Sequence, residues 1–126
     1  SRRIVSAFHR SGVTILAGTD APMPGIYPGF ALQEELELLV AAGLTPTQAL
    51  RSATLAPVQF LGMSSTAGSV ATGKMADLVL LDADPMRDIR NTRRIDAVLL
   101  GGHLLRRADL DALLETAARA QREPGD

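Results

Sequence analysis

Residues 13–22 read Val-Thr-Ile-Leu-Ala-Gly-Thr-Asp-Ala-Pro, an apolar and β-branched run that ends in a carboxylate. The run predicts a buried strand, and the Gly and Pro around Asp20 predict a turn directly after it. In folds built from β-α units, ligands and catalytic groups collect at the C-terminal edge of the strands, which makes Asp20 a candidate site residue. The same residues also suit an aspartate that only caps a helix or closes an Asx turn, and this stretch alone leaves both interpretations open.

The next segment carries the signals of two helices. Apolar residues recur at every third or fourth position between Leu32 and Val40, which predicts an amphipathic helix that ends near Gly43. Thr45 then fits an N-cap, Pro46 the first helical position and Gln48 the reciprocal partner of a capping box. A second helix is therefore predicted from Pro46 onward, with its small apolar residues on one buried face.

The second half of the chain changes from helices to strands. A third short helix is predicted over residues 56–61, followed by a linker of small polar residues at 63–69. Gly101 and Gly102 predict a type I′ hairpin turn, and Asp109 the N-cap of a last helix. Strands are predicted at residues 69–70, 76–81, 97–100 and 103–106.

Several of these stretches together resemble the C-terminal part of a metal-dependent amidohydrolase, in the branch of imidazolonepropionase-like and prolidase-like enzymes. The resemblance implies an α/β fold in which the chain forms the C-terminal portion of a TIM-type (β/α)8 barrel and part of a small β-sandwich, so the chain looks incomplete. It assigns the last barrel strand and helices to residues 1–62, the sandwich part to 63–107, and a C-terminal helix and tail to 108–126. The matching stretches are Ala17–Asp20, Glu34–Pro46, Ala49–Thr54, Gly73–Asp82 and Val98–Gly102.

The resemblance also implies a site and a reaction. Asp20 matches the aspartate after the last barrel strand, which in this family binds the metal and takes the proton from the attacking water. The implied cofactor is a divalent metal, zinc, as one or two ions, and the implied substrate is a small molecule with an amide, cyclic amide or aminoacyl-proline bond. Ala21, Pro22 and Tyr27 belong to a loop, residues 21–30, that is expected to lie over the substrate. For Tyr27 itself, packing against the helix that contains Leu32 is favoured over a contact with the substrate.

The other metal ligands are not apparent in this chain. A catalytic zinc takes about three protein ligands, and the sequence offers two histidines and no cysteine. His9 lies on a predicted helix beside apolar residues and His103 directly follows the hairpin turn, positions that favour structural or surface roles. We therefore expect the missing ligands upstream of Ser1 or on another chain, so that the barrel's other part is a required partner and the 126-residue chain alone is inactive.

Two other classes of function remain open at this point. The chain could be a non-catalytic remnant or interaction module that lacks a metal site. It could also bind a nucleotide or Mg²⁺-phosphate, because Gly68–Lys74 matches the start of a phosphate-binding loop and Asp82 and Asp84 form an Asp-x-Asp pair. Met75 stands where that loop needs Ser or Thr, however, and Pro85 follows the aspartates, which favours turns in both places.

Charge and hydropathy limit the partners. The net charge is −1 and the pI is near 6.1, which argues against nucleic acid or a membrane surface as the main partner. No apolar run approaches the ~18 residues of a membrane span, and a cytoplasmic protein is expected. The arginines at positions 87, 90, 93 and 94 are interleaved with Asp84, Asp88 and Asp96, which predicts a salt-bridged surface loop. Glu34, Glu35 and Glu37 predict the solvated face of their helix.

Overall fold

The computed structural model describes residues 2–21 and 29–120. Pro22 and Tyr27 of the predicted substrate loop lie outside the described residues. No helix in the described part of the chain is both long and apolar enough to cross a bilayer. The elements are, in chain order, α1 (Arg2–Arg10), α2 (Ala31–Ala41), α3 (Pro46–Ala53), α4 (Leu55–Phe60), β1 (Leu78–Leu81), a 3-10 helix (Ile89–Arg93), β2 (Ile95–Leu100), β3 (His103–Arg106) and α5 (Arg107–Ala120).

Helices α2 and α3 build the buried core. The amphipathic helix predicted over residues 32–40 is present as α2, and Gly43 after it has a φ of +108°, the left-handed region that glycine adopts without a side-chain clash. Ala49 of α3 is completely buried, at 0% exposure. The core cluster consists of Leu36, Leu39, Leu44, Ala49 and Ile89.

The start of α3 follows the sequence prediction in detail. The Gln48 backbone N–H donates to Thr45 Oγ1 at 3.2 Å, and the Thr45 backbone N–H donates to Gln48 Oε1 at 2.8 Å. Pro46 occupies the first turn, where its missing N–H costs nothing. This capping box is confirmed, and it fixes the rotation of α3 that places Ala49 in the core.

The segment at residues 13–21 departs from the prediction of a strand. It carries neither helix nor strand, because a strand exists only when a neighbour pairs with it and none does so among residues 2–21 and 29–120. Alternation of exposure is still present: Ile15 and Ala17 are half-buried against the core, whereas Thr14 and Leu16 are exposed. The segment therefore has one face on the helices and one open face.

The sheet is a three-stranded antiparallel meander in the order β1-β2-β3. Val98 of β2 lies opposite both Val79 of β1 and Leu105 of β3. Gly101 and Gly102 have φ values of +55° and +82°, so the prediction of a turn that needs two positive φ angles is confirmed.

The short strand predicted at residues 69–70 is wrong. Val70 is 83% exposed and lies in a loop rather than beside another strand. The loop is closed by its own contacts, because the Met75 backbone N–H donates to the Thr66 carbonyl at 2.8 Å. This hydrogen bond closes the loop around residues 69–70, which pair with no strand in the described part of the chain.

The last helix begins earlier than predicted. Helix α5 starts at Arg107, so Asp109 is not its N-cap but lies in its first turn. From there the Asp109 Oδ2 accepts the Arg106 backbone N–H at 2.8 Å, which is the backward-reaching half of a capping box. The apolar side chains of this helix are largely uncovered, with Leu113 56% exposed.

Candidate functional site

Asp20 lies at the end of the segment that packs on the helices. Its φ is +54°, and it is the one non-glycine residue with positive φ among residues 2–21 and 29–120. Most L-residues pay roughly 1 kcal/mol or more in this region, and Asp is among the few types that occupy it comparatively often. Asp20 is exposed, and strained positions of this kind concentrate at functional sites.

Two helices hold the backbone just before Asp20. The Ala17 N–H donates to the carbonyl of Ser52 on α3 at 2.9 Å. The Gly18 N–H donates to Oε1 of Glu35 on α2 at 2.7 Å. Ser52 is itself buried and donates its hydroxyl to the Ala49 carbonyl at 2.7 Å. Two consecutive amides are therefore fixed by acceptors on neighbouring helices.

Glu35 corrects the prediction that the glutamate run is a solvated face. It is half-buried, and its second oxygen, Oε2, is buried without a hydrogen-bond partner in the described part of the chain. The signal was present in the sequence, because Glu35 shares the i, i+4, i+7 row of α2 with the buried Leu39 and Ala42. A charge inside an apolar row indicates a specific acceptor or donor nearby.

An open cavity of about 570 Å³ lies beside this contact, between α1 and α2. Val5 and Leu39 give it apolar walls, Arg2 reaches it from α1, and Gly18 and Thr19 line it on the side of Asp20. The turn that carries Asp20 therefore borders an open space and is not buried inside a closed core.

The described residues form part of a metal site at most. The Asp20 carboxylate is the kind of oxygen donor that a divalent ion takes. No group of three or more His, Cys, Asp or Glu side chains that could hold an ion occurs in residues 2–21 and 29–120. His9 is on α1 and His103 begins β3. Asp20 is thus suited to be one ligand of a metal ion. The other ligands are not present among the described residues.

Of the three predicted loop residues, the structure describes only Ala21. Ala21 directly follows Asp20 and is half-buried. Pro22 and Tyr27 fall outside the described residues. The role of Ala21, Pro22 and Tyr27 at a substrate therefore stays a prediction.

The phosphate-loop interpretation of Gly68–Lys74 is wrong on geometry. Lys74 donates through Nζ to the Ala67 carbonyl at 3.3 Å and to Ser69 Oγ at 2.7 Å, so its ammonium is used by its own loop. The next element is strand β1, whereas a phosphate loop needs a helix N-terminus at this point. The loop is a turn that leads into the sheet.

The Asp-x-Asp pair also has a structural explanation. The Met86 backbone N–H donates to Asp84 Oδ1 at 2.8 Å, which is an Asx turn. Asn91 Nδ2 donates to the Asp84 carbonyl at 2.8 Å and holds the same loop. Asp84 therefore closes the segment after β1, as the sequence favoured.

We expect no nucleotide binding at this loop. In the full-length protein, the wild type and the variant Lys74→Ala should both give no heat of ATP binding in titration calorimetry, because the ammonium is held by its own loop and no helix N-terminus follows it. Micromolar ATP binding by the wild type that Lys74→Ala abolishes would contradict the turn interpretation.

Three of the four arginines at residues 87–94 form ion pairs, which agrees with the predicted salt-bridged loop. Arg90 forms a bidentate contact with Asp88, and the Arg90 side-chain hydrogen bond lowers the pKa of Asp88 while Asp88 raises the pKa of Arg90. Arg93 instead reaches Glu37 on α2 at 2.7 Å. Glu37 is thus a second exception to the solvated-face prediction, because it links α2 to the 3-10 helix.

The chain is similar in sequence to known proteins of one family. The model of the Amidohydrolase family matches residues 1–105. An imidazolonepropionase from Pseudomonas savastanoi is 36% identical over 82% of this chain, and the match covers 24% of that enzyme. The chain therefore spans about a quarter of the length of such a relative.

Solved structures agree with the sequence match. A Xaa-Pro dipeptidase crystallised with bound methionine superposes with a TM-score of 0.76 at 28% identity, over 83% of this chain and 25% of that one. Phenylurea hydrolase B gives a TM-score of 0.74 at 31% identity, over 86% of this chain and 27% of that one. From the match over residues 1–105 and from these similar enzymes, this chain belongs to the amidohydrolase family, in its imidazolonepropionase-like and prolidase-like branch.

Proposed function

We propose that this chain supplies the Asp20 corner of the active site of a metal-dependent hydrolase that cleaves C–N bonds. The observation that carries the proposal is the left-handed turn at Asp20, which presents an exposed carboxylate at the end of a segment held by two helices. Strain that is retained at an exposed carboxylate and held from two sides is typical of a catalytic position. In this proposal residues 13–17 are the last strand of a (β/α)8 barrel, and its other strands and metal donors lie outside the described residues.

Asp20 has two roles in the proposed reaction. One of its oxygens would hold the metal, which when bound supplies a water with a pKa of ~7. The Asp20 carboxylate then takes a proton from the attacking water and returns it to the leaving nitrogen. A carboxyl group suits both transfers, since it accepts as the carboxylate and donates once it has taken up the proton.

The substrate class follows from the relatives and from the position of the loop. The similar proteins carry the names imidazolonepropionase, Xaa-Pro dipeptidase and phenylurea hydrolase, which supports a small molecule with an amide, cyclic amide or aminoacyl-proline bond. Ala21 begins the loop that directly follows the catalytic aspartate. We infer that this loop, with Pro22 and Tyr27, contributes to the choice among such substrates.

The test uses the full-length protein that contains this chain. We expect it to contain zinc or another divalent metal and to hydrolyse at least one of three probes: an aminoacyl-proline dipeptide, an N-acyl amino acid or a cyclic amide. Chelation should abolish turnover and added zinc should restore it. Protein that is folded and metal-loaded but turns over none of the probes would contradict the proposal and favour the non-catalytic module, as would turnover that chelation leaves unchanged.

A further inference from the structure

The contact between Glu35 and Gly18 joins a helix to the catalytic turn. Glu35 Oε1 accepts the Gly18 backbone N–H at 2.7 Å, and Gly18 is two residues before Asp20. The bond spans 17 positions of sequence and is the side-chain contact that α2 makes to this turn. Charged acceptors give shorter and stronger hydrogen bonds than neutral ones, so the contact is a firm restraint on the backbone.

We propose that Glu35 is a positioning residue for Asp20 in the reaction described above, an inference that rests on the proposed function. Asp20 has a left-handed φ of +54°, a conformation that persists only when its surroundings determine it. Glu35 holds the amide at one end of this turn, and the Ser52 carbonyl holds the preceding amide of Ala17 at 2.9 Å. Without the Glu35 carboxylate, the backbone before Asp20 loses one of these two hydrogen bonds.

The burial of Glu35 supports this role over a surface role. The side chain is half-buried, and Oε2 is buried without a partner in residues 2–21 and 29–120. A carboxylate is withdrawn from water only at a cost, which the short bond to Gly18 offsets in part. Glu34, one position earlier on the same helix, is exposed and makes no such contact among the described residues. The two neighbours therefore form a matched pair, in which the half-buried Glu35 contacts Gly18 and the exposed Glu34 does not.

The expected effect falls on kcat rather than on KM. A shift of about 1 Å in a reacting group can cost on the order of 10²-fold in rate. We expect Glu35→Ala in the full-length protein to lower kcat by about 10- to 100-fold and to change KM by less than about 3-fold. Glu35→Gln keeps an acceptor oxygen for the Gly18 N–H and should retain kcat within about 5-fold of the wild type. The control Glu34→Ala should keep both constants.

A second readout does not depend on turnover. Hydrogen exchange of the Gly18 amide, followed by NMR or mass spectrometry, should be faster in Glu35→Ala and close to wild type in Glu35→Gln and Glu34→Ala. The melting temperature of each variant shows that kinetics are measured on folded protein. A general loss of packing would instead speed exchange at amides throughout the core and lower the melting temperature of Glu35→Ala.

The outcomes separate the positioning role from the proposed function. If the wild type hydrolyses the probes and Glu35→Ala matches it in kcat, the positioning role is overturned and the proposed function stands. Slow variants in which Gln is as impaired as Ala would also overturn it. If the folded, metal-loaded wild type hydrolyses none of the probes, the proposed function falls and the positioning role falls with it.

Discussion

Replacement of Asp20 by Asn in the full-length protein is expected to lower kcat by about 10²- to 10⁴-fold, the usual contribution of a positioned acid or base. Asn is the informative choice because it matches Asp in size and also tolerates the left-handed backbone of this position. The fold and the turn should therefore survive, while the amide oxygen cannot accept a proton from water at neutral pH and is a weaker metal donor. The measurement is the kcat of each protein on the probe that the wild type hydrolyses best.

The matched control for Asp20→Asn is Asp84→Asn. Asp84 is also an exposed aspartate that follows an apolar run, but its Oδ1 accepts the Met86 N–H in an Asx turn, which Asn reproduces. We expect Asp84→Asn to keep wild-type turnover and metal content. Metal analysis of both variants gives a second readout. Wild-type turnover by Asp20→Asn would show that Asp20 is not a catalytic residue, whatever the metal content of the variant.

The 126-residue chain alone is expected to retain no stoichiometric zinc and to show no hydrolysis of the same probes. A tight site takes about three protein ligands, and residues 2–21 and 29–120 contain no group of three His, Cys, Asp or Glu side chains that could hold an ion. The purified chain would be dialysed against zinc, passed through a chelating resin and analysed for metal, with the full-length protein treated in parallel. The full-length protein should keep its metal through the same procedure.

Retention of zinc by the 126-residue chain alone would also identify where the metal binds. Zinc that survives the resin in the isolated chain would show a complete site within these residues. His9→Ala and His103→Ala would then identify the ligand, since these are the two histidines in the sequence. If either variant lost the retained zinc, that histidine would be a metal ligand. This would contradict a metal site made of Asp20 and donors outside the 126 residues.

Local signals explain which features the sequence predicted. The Thr45–Gln48 capping box, the left-handed Gly43 and the double-glycine hairpin each depend on residues close together in the chain, and each appears in the structure where it was expected. The strand at residues 13–17 was not found, because its existence depends on neighbouring strands and not on its own residues.

Contacts between distant residues explain what was missed. Glu35 and Glu37 were expected to face water, yet one accepts an amide 17 positions away and the other pairs with Arg93, 56 positions away. Composition gives no information about such partners. Asp20 was found from sequence because its neighbours Gly and Pro mark a turn, but its positive φ required the structure.

The 3-10 helix Ile89–Arg93 comes from the sheet half of the sequence but completes the core of the helical half. Ile89 is 5% exposed and packs in one cluster with Leu36 and Leu39, and Arg93 pairs with Glu37 nearby. A protease cut in the intervening loop would thus leave two pieces that still share a hydrophobic core and an ion pair. The sheet half therefore supports the helix that carries Glu35, and through Glu35 it supports the backbone that leads to Asp20.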